Sequence, residues 1–148
     1  MRAIILTTYA AAFVGLAAAE TPSINPGEWE STIVTSVAMN MNGQMMALPG
    51  QTTSSTDCIT EEDAEFSPED FAQDGCTASN FETTATTASF DMACNQNGIA
   101  MTGSMQVEAA SSGDAYSGTF NIQGAAPGMG DMNVTGSLTG ARIGACSE

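Results

Sequence analysis

Four methionines, Met39, Met41, Met45 and Met46, fall within eight residues, and Met129 and Met132 lie in a later glycine-rich stretch. Their thioethers are soft ligands that suit Cu(I) or Ag(I), and three or four converging sulfurs hold such an ion without imidazole. The same side chains have two other uses. Unbranched methionine fills irregular gaps at the end of a sheet, and an exposed methionine loop adapts its shape to an apolar partner. The residue types alone leave metal, packing and partner contact open.

A second cluster is acidic. Glu61, Glu62, Asp63, Glu65, Glu69, Asp70 and Asp74 crowd the segment after Ile59. Carboxylate oxygens suit Ca²⁺, but the alternating acids and central glycine of a calcium loop are not present. Acids at the start of helical turns have a sufficient reason in the helix dipole and in solvation. A solvated acidic surface is the expectation.

The missing residue types narrow the chemistry further. The chain has no His and no Lys, and its bases are Arg2 and Arg142. Ser–His and Cys–His nucleophilic pairs, Schiff bases, Ser–Lys dyads and His-built zinc sites are excluded. A carboxylate pair is the remaining route to catalysis, and nothing in the sequence singles one out. The chain reads as a non-enzyme with no cofactor other than the Cu(I) considered above. Arg142 is expected to pair with one of the many carboxylates.

Seventeen acids against two bases leave a net charge of −15. Nucleic acid and anionic lipid headgroups repel such a chain, which sets both aside as partners. Met1-Arg2, the apolar run from Ala3 to Leu16 and the small residues Ala17-Ala18-Ala19 before Glu20 read as a secretory signal peptide. The run is too short for a membrane span. The expected product, Glu20 to Glu148, is a single exported domain without a stable membrane anchor, periplasmic in the first instance and secreted in the second. Four cysteines in such a chain read as two disulfides.

The elements that must position these residues are β-strands. Glu28 to Met39 alternates Trp29, Ile33 and Val37 against polar neighbours. Asn, Gly and Pro punctuate Asn40 to Gly50, which reads as a loop, and Gln51 to Ile59 reads as a polar edge strand. Thr60 before Asp63, and Ser67-Pro68 before Glu69, predict one or two short helical turns over residues 60–74, with Phe66 and Phe71 against the sheet. From Cys76 onward, short strands alternate with turns: Cys76 to Thr83, Thr87 to Cys94, Ile99 to Ala109, Ala115 to Gln123 and Asp131 to Thr139. The fold class is all-β, an antiparallel meander forming a curled sheet, half-barrel or sandwich.

Three strands share a local phrase: Thr102-Gly103-Ser104-Met105, Ser117-Gly118-Thr119-Phe120 and Thr135-Gly136-Ser137-Leu138. Gly103, Gly118 and Gly136 each fall on the apolar face, where glycine bends a strand or lets another group approach. Curvature is one reading, and a concave face that carries a small apolar ligand is the other.

Cys76 and Cys94 are equidistant from Ala85 in the turn between their strands. Folding the hairpin sets them opposite one another, which leaves Cys58 with Cys146. The rival pairing, Cys58 with Cys76 and Cys94 with Cys146, clamps the acidic segment instead. These landmarks, in order, resemble an exported bacterial family, the domain of unknown function 3617. The residues that carry the resemblance are Pro26-Gly27-Glu28-Trp29-Glu30, the Met/Gly/Pro loop, Cys58-Ile59-Thr60 with its acids, and Gly75-Cys76. Cys94, Tyr116-Ser117-Gly118-Thr119 and Arg142-Ile143-Gly144-Ala145-Cys146 complete the set. The resemblance implies a small exported β-rich domain with two disulfides and no assigned catalytic residues.

The function expected from these readings is that of a binding or accessory module of the cell envelope. Its partner would be an envelope protein or a small ligand. The alternatives are a Met-thioether Cu(I) or Ag(I) binder and a carrier of a small apolar ligand.

Overall fold

The computed structural model describes residues 20–67, 75–96, 98–126, 128 and 130–147. Residues 1–19, on which the signal-peptide reading falls, lie outside them, as does most of the second expected helical turn with Phe71. Eight strands follow in chain order: β1 (Gly27–Met41), β2 (Gln44–Ala47), β3 (Gln51–Ile59), β4 (Cys76–Thr83), β5 (Thr87–Gln96), β6 (Ile99–Ala109), β7 (Ala115–Ala126) and β8 (Gly130–Gly144). They form one antiparallel sheet in the order β2-β1-β8-β7-β6-β5-β4, with β3 also paired to β1. Because β8 occupies one side of β1 from Glu28 to Met39, β2 and β3 share the other side, end to end. The sheet does not close, since β4 at one edge and β2 with β3 at the other do not meet.

Residues opposite one another across a ladder share a face. Trp29, Ile33, Val37 and Met39 of β1 therefore stand on the same face as Leu138, Val134 and Met132 of β8. The register carries this face on through Tyr116, Phe120 and Ile122, then Val107 and Met105, then Ala88 and Phe90. The other face of the same strands is mostly Ser, Thr, Asn and Gln, with several acids, alanines and Val34 among them. The strict alternation seen in the sequence is this two-sidedness.

The apolar face is sealed at one end. Trp29 is fully buried there, its Nε1 donating to the Asn25 carbonyl at 2.9 Å. Its ring stacks on Tyr116 at 5.5 Å, and Phe66 meets the Tyr116 edge at 6.3 Å. Two segments close over them. Ile24 donates its N–H to the Ala64 carbonyl, Phe66 donates to that of Pro22, and Asn25 to that of Gly113. A second packed region sits further along, where Phe81 stacks on Phe90 at 4.9 Å beside buried Val107 and Ala88.

Two local expectations are corrected. No helix forms over 60–67. Thr60 caps a single turn, accepting from the Asp63 N–H and donating its hydroxyl to Asp63 Oδ2 at 2.6 Å. The chain is then drawn into a bridge between Ser23 and Glu65, which ends any helix after that turn. Asn40 to Gly50, read as a loop, holds β2. Asn42 and Gly43 both adopt positive φ, 53° and 81°, as a two-residue hairpin turn requires, and β1 folds back with Met41 opposite Gln44.

Candidate functional site

The hairpin turn at Asn42-Gly43 decides where the methionines go. Met39 of β1 is register partner to Met46 of β2 on one side and to Met132 of β8 on the other. Three thioether side chains thus stand in one row on the apolar face. The row runs on through Gly124 to Met101, since Met132 opposes Gly124 and Gly124 opposes Met101. A Cβ on Gly124 would lie 2.8 Å from Met101 Cγ, so Met101 occupies the space that glycine leaves, on the side toward Met132. Met101 was missed by sequence reasoning because it lies far along the chain from the methionine cluster, on β6; only the register brings it in.

The expected six methionines divide. Met39, Met46 and Met132 come together, and Met41 stands on the same face one step beyond Met39. Met45 opposes Asn40 and faces the other side of the sheet. Met129 lies outside the described residues. This end of the sheet is the one opposite Trp29, and among the described residues nothing equivalent to the Pro22–Phe66 cover lies over it. Four exposed large apolar side chains gather here, Met41, Met45, Met46 and Leu48; of the others among the described residues, Ile33 and Val34 lie midway along β1 beside β3, and Ile143 lies elsewhere. Met45 is 68% exposed and Met46 50%. Because they project from both faces, the sheet cannot bury the hairpin tip by curling in either direction.

The glycines of the repeated phrase have filled surroundings. A Cβ on Gly136 would overlap the Phe120 ring, and one on Gly140 the Tyr116 ring. A Cβ on Gly118 would lie 3.1 Å from Leu138 Cδ2, and one on Gly103 would run into the Asn121–Ile122 backbone. The group that approaches each glycine belongs to the protein itself. The surface grooves lie on the polar face instead. One of about 660 Å³ is lined by Asn80, Glu82, Asp91, Ser104, Thr119 and Asn121 among others. Its two carboxylates are exposed, and Asp91 accepts from Asn80 Nδ2 at 2.8 Å.

Both disulfides join the cysteines that the hairpin reading pairs. Cys76 bonds to its register partner Cys94, and Cys58 at the end of β3 bonds to Cys146 after β8. Arg142 departs from expectation. Its Nε donates to the Pro26 carbonyl at 2.8 Å rather than to a carboxylate, tying the end of β8 to the chain just before β1. The acidic residues from Glu61 to Glu65 line a turn, and among the described residues no group of three or more acids or cysteines is arranged to hold a metal.

Comparison with known proteins agrees with the landmarks. No curated protein sequence matches the chain. The model of the family described as protein of unknown function (DUF3617) matches residues 24–146, from the buried Ile24 to the disulfide-bonded Cys146, and the chain belongs to that family.

Proposed function

We propose that this protein is an exported, non-enzymatic binding module of the cell envelope, and that the β1–β2 hairpin is its contact surface. One observation carries the reading: four of the seven exposed large apolar side chains among the described residues, Met41, Met45, Met46 and Leu48, lie within eight residues on that hairpin. Scattered exposed apolar residues are ordinary, whereas a concentrated patch marks a surface that another molecule covers. The patch is methionine-rich, and flexible thioether side chains repack against apolar partners of varied shape. Two disulfides suit an oxidising, exported compartment. The loss of imidazole and amine side chains argues against nucleophilic and Schiff-base catalysis. A photo-reactive residue in place of Met46 is expected to give discrete adducts in intact cells, and the same group in place of Thr119 on the polar face none. Equal labelling from the two positions overturns the reading.

A second reading rests on the methionine row. Adjacent strands are about 4.8 Å apart, and three rotatable bonds let neighbouring thioethers converge. Met39, Met46 and Met132, with Met101 next along, form a ligand set for Cu(I) or Ag(I). Anaerobic titration against a competing chelator should show one-to-one binding that a combined Met39→Leu, Met46→Leu, Met132→Leu variant loses. Equal affinity in that variant removes the metal from consideration.

A further inference from the structure

The two edges of the sheet are built differently. At the β4 edge the register breaks between Ser79 and Glu82, and Asn80 sits there at φ 53° with its side chain held by Asp91. Such a bulge twists an edge away from incoming strands. The β3 edge has no such device. Nine residues pair with β1 in unbroken register, from Gln51 opposite Thr35 to Ile59 opposite Gly27, without Pro, Gly, Lys or bulge. Gln51 to Cys58 are all exposed, and the Cys58–Cys146 bond pins the strand at its end. Every second residue therefore turns an N–H and a C=O outward with no partner strand among the described residues.

We propose that β3 is where a second copy of this chain adds, β3 against β3 in antiparallel pairing about a two-fold axis through Ser55. The side chains of the strand are self-complementary in that register. Thr53 stands opposite the second copy's Asp57, and Ser54 opposite its Thr56, so hydroxyls meet a carboxylate or one another. The first kind of pairing already occurs within the strand, where Ser55 Oγ donates to Asp57 Oδ2 at 2.8 Å. Asp57 is the one charge in β3. The axis keeps the two copies of Asp57 four residues apart along the strands, about 13 Å, which exceeds a Debye length of about 8 Å at physiological salt. The apolar faces of the two sheets then continue on one side. A single strand pair is a small interface, so the dimer is weak and dynamic. The net charge of −15 opposes it, and salt strengthens it by screening.

Sedimentation velocity of the purified protein across a concentration series, at low and moderate salt, tests this pairing. The expected result is a monomer–dimer equilibrium that tightens with salt. Thr53→Glu sets a carboxylate opposite Asp57 at both symmetric pairs and weakens the dimer roughly tenfold. The double variant Thr53→Glu, Asp57→Lys turns both pairs into opposite charges and restores it. Unchanged fluorescence of the buried Trp29 confirms that each variant folds. A monomer at every salt concentration, a dimer indifferent to Thr53→Glu, or a loss that Asp57→Lys does not rescue overturns the proposal.

Discussion

Glycine and its bulky cross-strand neighbour form the repeating unit of the apolar face. Phe120 lies over Gly136 and Tyr116 over Gly140, so an aromatic ring occupies volume that a side chain would otherwise take. Tyr116 gains more, because the same placement lets its ring stack on Trp29 and its hydroxyl share a hydrogen bond with Ser31 Oγ at 2.8 Å. Gly136→Ala should therefore overpack the site and cost about 1–3 kcal/mol. Gly144→Ala, whose Cβ meets nothing within 4 Å, should stay within about 0.5 kcal/mol of the parent. Urea denaturation of the two variants checks the contrast, and Phe120→Leu should recover part of the Gly136→Ala loss. The three glycine phrases were legible in the sequence. Which group fills each gap was not, because it comes from a neighbouring strand whose register local residues do not encode.

At the scale of elements, the two disulfides do different work. Cys76–Cys94 closes a separation of 18 residues within one hairpin, whereas Cys58–Cys146 closes 88 and joins the edge strand to the chain after β8. In the chain-entropy model, paired Cys→Ala substitutions at the longer loop should cost about 1.4 kcal/mol more than those at the shorter one. Thermal denaturation of both double variants measures the difference, and an equal or smaller loss at Cys58–Cys146 rejects that account. The hairpin bond was legible from symmetry about Ala85, since a hairpin sets equidistant residues face to face. The β1–β2 hairpin carried its own signal in Asn42-Gly43, the residues that tolerate positive φ at a two-residue turn. That signal was overlooked because β2 is short and polar at its start. The first helical turn failed for the opposite reason: the Thr60 cap was read correctly, but a nonlocal bridge to Ser23 claimed the backbone that a helix would use.

The whole molecule is an open sheet with dense negative charge and few cations to offset it. Among the described residues Arg142 spends its Nε–H on a backbone carbonyl. Like charges distributed over one thin layer repel at long range, and that repulsion weakens once the Debye length falls below their spacing. The thermal midpoint should rise as NaCl is added from a low-salt buffer, with Na₂SO₄ controls separating screening from general salt effects. A midpoint that is flat or falls with NaCl shows that self-repulsion contributes nothing. The openness of the sheet also leaves room for both of the proposed contact surfaces. Among the described residues the hairpin tip has exposed methionines on both faces, and the outer side of β3 has no partner strand.

The sequence by itself determined the all-β class, the two-faced strands, the strong negative charge, the paired cysteines and the exclusion of imidazole and amine chemistry. These follow from residue type and from a period of two along each strand, both of which are local. Only the tertiary structure decided which methionines stand together, that Met45 turns away while Met101 joins the row, and that the glycines are filled from within. It also decided that one edge is bulged and the other bare. Each of these depends on register and strand order, set by contacts between residues far apart in the chain, and a shift of one residue would move every side chain of a strand to the opposite face.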